Sequence, residues 1–440
     1  MKRRALSIAM PLAAPLMLGL SQHAAAQTYA IVNAHVAPGT GGADIENGTV
    51  LIENGRIAAI GANIVAPAGA QTVDAHGGWV TPGIFAGLAN IGVNEVFEGV
   101  RETNDARAET SVFNAALDLS TAVNPRSIHF AINRVAGVTR AAIAPENGKS
   151  IFAGQGALID LGSPDPVTRA RAFQYVDLSQ SGGRIAGGSR PAAFAEFREA
   201  LHDAAEYARN PAAFVGGRER TSILPRRDAE VLVPVVQGRQ LLLVEVERAQ
   251  DIRMVIALRR EFPALRLVLV GCAEGWLVAN EIAAAHVPVI TTALADLPES
   301  FDQLAATQSN VGRLVRAGVT VALSGYGSGT DIQPRKLPED AGNLVALSRI
   351  PGAAGLTHAQ AMATITSAPA QIFGTPTLGS LAPGKTADVV IWSGDPLELA
   401  SAPVAVFIDG RPQPMVSRQT ELRDRYLGLQ RGDLTLRYKR

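Results

Sequence analysis

The 440-residue chain balances 40 Lys plus Arg against 40 Asp plus Glu, is 47% apolar and only 18% charged, and carries one Cys and seven His. This composition excludes disorder over most of the length, an internal disulfide and a C-x-x-C metal or redox site, and it leaves no basic footprint for nucleic acid. At about 100–200 residues per domain the length suits two or three domains.

Residues 1–26 read as a secretory signal peptide. Lys2, Arg3 and Arg4 form a basic start, Ala5 to Leu20 an apolar run, and Ala24-Ala25-Ala26 an A-x-A cleavage site. The apolar run, interrupted by Pro11 and Pro15, is shorter than the roughly 20 residues a membrane span needs. Cleavage near Ala26 and a periplasmic or secreted protein without a membrane span are expected. Without the three basic leader residues the remainder is slightly acidic.

From Tyr29 to Val80 short strand-like runs alternate with Gly and Asn turns, including the hairpin signal Glu53-Asn54-Gly55. The same texture returns in VVIW and VAVFI between Gly379 and Gln413. Strands so short need a partner sheet, so residues 27–82 and 371–416 are expected to form one composite β-sandwich domain, followed by a tail over 417–440. Between them, residues 83–370 alternate strand-like runs (GVTRAAIA, QLLLVEV, LRLVLVG, VPVITT, VTVALSG) with helical stretches. Repeated strand-helix units over this length predict an α/β fold, a (β/α)8 TIM-type barrel. The competing architecture is a doubly wound open sheet, which lacks support from any G-x-G-x-x-G or Walker loop. One stretch breaks the repeat and reads as an insertion. After SGGRIAGGSRP, with Ser189 as N-cap and Pro191 in the first turn, Phe194, Phe197, Leu201, Ala204 and Tyr207 recur at helical spacing.

The turn Val80-Thr81-Pro82-Gly83, together with THAQAMATITSAPAQIFG, LGSLAPGKTADVVIW and VFIDGR near the C-terminus, resembles the metal-dependent amidohydrolase superfamily. NEVFEGVRETNDA from Asn94 and AGQGALIDL from Ala153 add a likeness to its exported, imidazolonepropionase-related members. The resemblance implies hydrolysis of amide, imide or related C–N bonds by one or two divalent metals at the C-terminal mouth of the barrel. It also implies an H-x-H after the first strand, further ligands on middle strands and an Asp after the last. At those places this chain has Leu88 and Asn90, then Gly271, then Tyr326. Leu has no lone pair to offer and a neutral amide is a poor zinc ligand. The zinc expected of the family therefore lacks its ligands here, and no metal or other cofactor is predicted. No H-x-H or H-E-x-x-H occurs elsewhere, and the single His residues read as solvated or capping groups.

What remains at the expected mouth is acidic. Glu245 and Glu247, two apart on one strand, share a face. If that face is the lumen, their mutual repulsion raises a pKa and makes them an acid–base pair; if it is the rim, Arg248 simply pairs with them. Glu274 and Cys272 stand nearby, Cys272 reading as a buried filler and Asp331 as a lone carboxylate past the last strand. Two functions remain open. One is a C–N hydrolase with a degenerate metal centre, acting on cyclic amide or imide or small peptide-like substrates. The other is an inactive pseudoenzyme that binds a small ligand or pairs with an active amidohydrolase. Oligomeric state stays open between a homodimer, the commonest assembly, and pairing with an active amidohydrolase.

Overall fold

The computed structural model describes residues 27–96, 100–212, 222–325 and 331–427. The signal-peptide segment with its Ala26 cleavage site, and Tyr326, lie outside the described residues. None of the described helices is long and apolar enough to cross a membrane.

Both chain ends enter one sheet. Strands β1 (Tyr29–Val36), β2 (Ile45–Glu53), β3 (Arg56–Gly61), β4 (Gln71–Asp74) and β5 (Trp79–Pro82) come from the N-terminal side. Strands β14 (Val389–Trp392), β15 (Pro403–Ile408) and β16 (Arg411–Pro412) come from the C-terminal side. They join where β14 runs antiparallel to β5, Ile391 opposite Val80. The far edges approach each other as well: Arg56 bridges Thr386, and the turns at Gly55 and Gly410 come into contact. The sheet thus wraps a core that includes Tyr29, Ile31, Ile52, Val389 and Phe407.

The second sheet is an eight-stranded, nearly closed barrel in the order β13-β12-β11-β10-β9-β8-β7-β6. Its strands are β6 (Ile84–Ala89), β7 (Val138–Ile143), β8 (Phe152–Asp160), β9 (Val167–Asp177), β10 (Leu241–Val246), β11 (Arg266–Gly271), β12 (Val289–Thr291) and β13 (Val321–Leu323). Closure between β13 and β6 is by close approach: a Cβ on Gly87 would stand 2.6 Å from the Leu323 carbonyl oxygen, and the Ser324 hydroxyl donates to the Leu88 carbonyl at 3.1 Å. Residue size at Gly87 is set by that contact.

Two expectations are corrected here. A regular (β/α)8 repeat requires every strand to run parallel, but β8 is antiparallel to both β7 and β9. The reason is the connection from Leu161 to Pro166. It is shorter than the dozen or so residues a parallel crossover needs, and the Asp160 carboxylate tightens it by accepting from the Gly162 and Ser163 N–H groups. Nor is the irregular stretch after Ser181 an insertion. The helix Arg190–Arg209, capped by Ser189 through the Ala192 N–H, buries Phe197, Leu201, Ala204 and Tyr207 as the spacing predicts. Its Phe197 and Leu201 belong to the core outside the barrel, so it is part of the crossover from β9 to β10.

Inside the barrel, Phe85, Leu88, Phe173, Tyr175, Leu241, Leu243, Val268, Val270 and Ile290 form a second apolar cluster. Phe373 and Ile372, from the end of the helix Ser367–Ile372, close it from below.

Barrel and wrapped sheet are locked by one buried cation. Arg140 on β7 donates to Asp388 at 2.7 and 3.0 Å and to Asp409 at 2.7 Å, with Asp160 at 4.0 Å.

Candidate active site

Along β10, Leu241 and Leu243 belong to the interior cluster, and Leu242, Val244 and Val246 to the outer one. The strand period of two therefore turns Glu245 and Glu247 to the lumen side, at the C-terminal end where such barrels carry their chemistry. Both line a cavity of about 410 Å3 together with Gly271, Thr291, Ser324, Lys336 and Asp340.

Each carboxyl is held by its own donor. The Tyr175 hydroxyl donates to Glu245 Oε2 at 2.8 Å, and the Ala273 N–H donates to Glu247 Oε2 at 2.7 Å. Burial pushes Glu245 up to about 8, the Asp177 charge adds to this, and the Tyr175 bond opposes it. Glu247 is pushed up to about 7, again by burial, with the Ala273 N–H opposing and the Asp302 charge adding. Asp177 ends β9 directly beside Glu245 in the parallel register, and burial raises it too, against the Ser179 hydrogen bonds. Asp302 is fastened by the Gln180 N–H and the Ser300 hydroxyl. Across the cavity Asp340 is pushed up to about 6 by burial and by the neighbouring Glu339 charge.

Arg248 does not neutralise the pair. Its guanidinium turns to Asp251, at 2.7 and 3.0 Å, because it heads the helix Ala249–Ala257 on the outside of the barrel. Glu274 is not a mouth group either. Its two oxygens accept the Ala249 and Ala305 N–H groups, tying a helix start to a loop. Cys272 is buried in the outer core, which pushes its thiol up.

The positions at which the resemblance implied metal ligands are placed as follows. Leu88 packs in the interior cluster. Asn90 is buried and donates to Glu146 at 2.6 Å, while its Oδ1 has no partner. Gly271 has φ +83°, and a Cβ there would lie 2.3 Å from Glu247 Oε1: the Glu247 carboxylate occupies the space a side chain at 271 would fill. Gly271 thus lines the cavity, Leu88 lies in the interior cluster and Asn90 is engaged with Glu146.

His35 contacts Asp44 and Glu46, His76 lies by Asp74, His129 bonds the Glu95 carbonyl, His202 pairs with Glu261 and His358 with Asp395. Among the described residues no three His, Cys, Asp or Glu side chains are grouped to hold a metal ion. With Leu88 and Gly271 offering no donor, this side-chain set does not fit the expected metal.

The sequence offered one signal for the missed neighbour Asp177: it ends a strand, as Glu245 nearly does. Tyr175, Asp302, Lys336 and Asp340 had none, since their approach to the pair is made by the fold.

Residues 241–413 match the model of the amidohydrolase family. Amidohydrolase tasK of Hapsidospora irregularis is 45% identical over 60 residues, a match spanning 13% of this chain and only 6% of that protein. Among solved structures, an amidohydrolase from Thermotoga maritima MSB8 has a TM-score of 0.76 at 22% identity, covering 87% of this chain and 99% of its own. An adenosine deaminase from Xanthomonas campestris with bound zinc has a TM-score of 0.52 at 16% identity over 91% and 99% of the two chains. N-isopropylammelide isopropylaminohydrolase from Burkholderia multivorans ATCC 17616 has 0.51 at 18% over 88% and 98%. The chain therefore carries the amidohydrolase fold, with the amidohydrolase family's sequence pattern across residues 241–413.

Proposed function

We propose that this chain is an exported hydrolase of non-peptide C–N bonds in which a carboxyl pair, Glu245 and Glu247, works where relatives use a metal centre. The observation that carries this reading is geometric. Two carboxyls on one lumen-facing strand edge share a cavity at the C-terminal mouth, and neither is ion-paired to a cation among the described residues. The fold and the family pattern support the reaction class. They lend no support to the alternative of an inactive partner subunit.

The chemistry follows from the two proton affinities. Near pH 7 Glu245, raised to about 8, holds its proton, while Glu247, raised less, to about 7, gives its proton up more readily and serves as carboxylate. A water oxygen attacks the substrate's acyl carbon as Glu247 takes the water proton, and the carbonyl electron pair moves onto oxygen beside the Lys336 ammonium. When that pair returns, the C–N bond breaks, its electrons go to nitrogen, and Glu245 delivers the proton the amine needs. Water between the two carboxyls moves a proton from Glu247 back to Glu245. Cyclic amides or imides and small peptide-like amides fit this chemistry and a cavity of about 410 Å3.

The test is a panel of hydantoins, cyclic imides and dipeptides assayed with the mature protein. The Glu245→Gln and Glu247→Gln variants should each lower kcat by about 10²-fold or more. Wild-type rates in either variant would end this assignment, and a wild-type protein that turns over none of the panel but binds a member would favour the ligand-binding alternative.

A further inference from the structure

We infer that the opposite end of the barrel carries a binding pocket for a small polyanion, independent of the chemistry at the mouth. At the start of β9, β10 and β11 a second cavity, of about 550 Å3, is lined by Arg169, Arg171, Arg227, Arg239 and Arg266, with Glu230 the carboxylate among its lining residues. In a chain of balanced charge this is a strong local excess of one sign, and a concave low-dielectric wall focuses such a field. The volume suits a small molecule.

The arginines are held in ways that leave donors to spare. Arg169 is anchored through the Phe373 and Gly374 carbonyls, at 2.7 and 3.3 Å, which uses only part of its five N–H groups. Among the described residues Arg239 bonds only the neutral Gln237 side chain, and the Arg266 guanidinium, exposed at the head of β11, has no hydrogen-bond or ion-pair partner. Arg227 pairs with Glu230 and Arg171 with Asp118, both more than half exposed at the arginine. Arg171 also sits at φ +50°, an uncommon backbone state for a non-glycine residue, fixed by the Gln240 amide donating to its carbonyl at 2.8 Å. Strained backbone of this kind tends to gather at ligand sites.

Guanidinium forks match carboxylate and phosphate oxygens two at a time. The ligand is therefore a compact molecule with at least two oxyanion groups. The amidohydrolase reaction at the other end does not require such a site, so this binding stands or falls separately from the function proposed above.

Calorimetric titration of the mature protein with pyrophosphate and with citrate tests it, the two arms telling a phosphate preference from a carboxylate one. Saturable binding of at least one anion is expected, weakening at least fivefold between about 50 and 300 mM salt. Arg266→Ala and Arg239→Ala remove no carboxylate partner and should leave the fold intact. Together they should weaken binding about tenfold or more, while Arg313→Ala, on the remote Trp276 face, changes nothing. Absence of saturable binding by both anions, or equal affinity in the double variant and the wild type, would overturn the inference.

Discussion

A glutamate whose carboxyl is pushed up to about 8 by burial, from 4.5 when free, keeps a proton in the folded chain that it sheds on unfolding. Glu247, raised to about 7, does the same. The stability that these groups contribute is fully present below pH about 4.5 and is lost as the pH rises through 7 and 8, because the unfolded state then binds fewer protons than the folded one. The free energy of unfolding should accordingly fall between pH 5 and 9, and Glu245→Gln, neutral throughout, should flatten that fall while it removes activity. Urea titrations at pH 5, 7 and 9 give the comparison; an unchanged slope in the variant would mean that Glu245 ionises normally. Gly271 belongs to the same scale. At φ +83° and with Glu247 Oε1 2.3 Å from its missing Cβ, Gly271→Ala must displace that carboxylate. A stability loss of about 1–3 kcal/mol and a reduced rate are expected from denaturation and assay of the variant. The pairing of Glu245 with Glu247 on one face was legible from two residues on a strand. The neighbours that tune them, Asp177 and Asp302, were not, because charges brought close by a register and by a loop leave no local pattern.

Among the elements, β7 carries the buried cation of the interface. Arg140 is buried against Asp388 and Asp409, joining the barrel to the sheet made from both chain ends. Removing the cation strands the buried Asp388 carboxylate, so Arg140→Met should cost about 3–5 kcal/mol. Asp409 is about half exposed, at 54%, and Asp409→Asn should cost about 1 kcal/mol or less. Equal losses from the two would show that burial does not set their weight. Ser189→Ala, which deletes the cap on the helix Arg190–Arg209, should cost about 1 kcal/mol. Strand and helix content was readable because apolar periodicity survives in short runs such as LLLVEV. The direction of β8 was not: FAGQGALID is mostly apolar and buried on both faces, Gln155 and Asp160 included, a pattern shared by parallel and antiparallel strands, and only the short turn after Asp160 decides.

For the whole molecule, two halves of one sheet some 300 residues apart in sequence were recognisable by shared texture, and β14 pairing with β5 unites them. The barrel between them presents an acidic mouth at one end and an arginine-lined hollow at the other, joined by β10, with Leu241 in the hollow and Glu245 at the mouth. The fold is that of the zinc-bound adenosine deaminase, while at two of the positions where the resemblance implied ligands Leu88 packs in the interior cluster and Gly271 leaves its space to the Glu247 carboxylate. The account therefore turns on whether hydrolysis here is independent of metal. The most direct measurement is the hydrolytic rate of the purified protein before and after exhaustive dialysis against a chelator, with metal content measured in both samples. The account predicts unchanged turnover with far less than one metal ion per chain. Activity that vanishes on dialysis and returns with about one equivalent of zinc would contradict it.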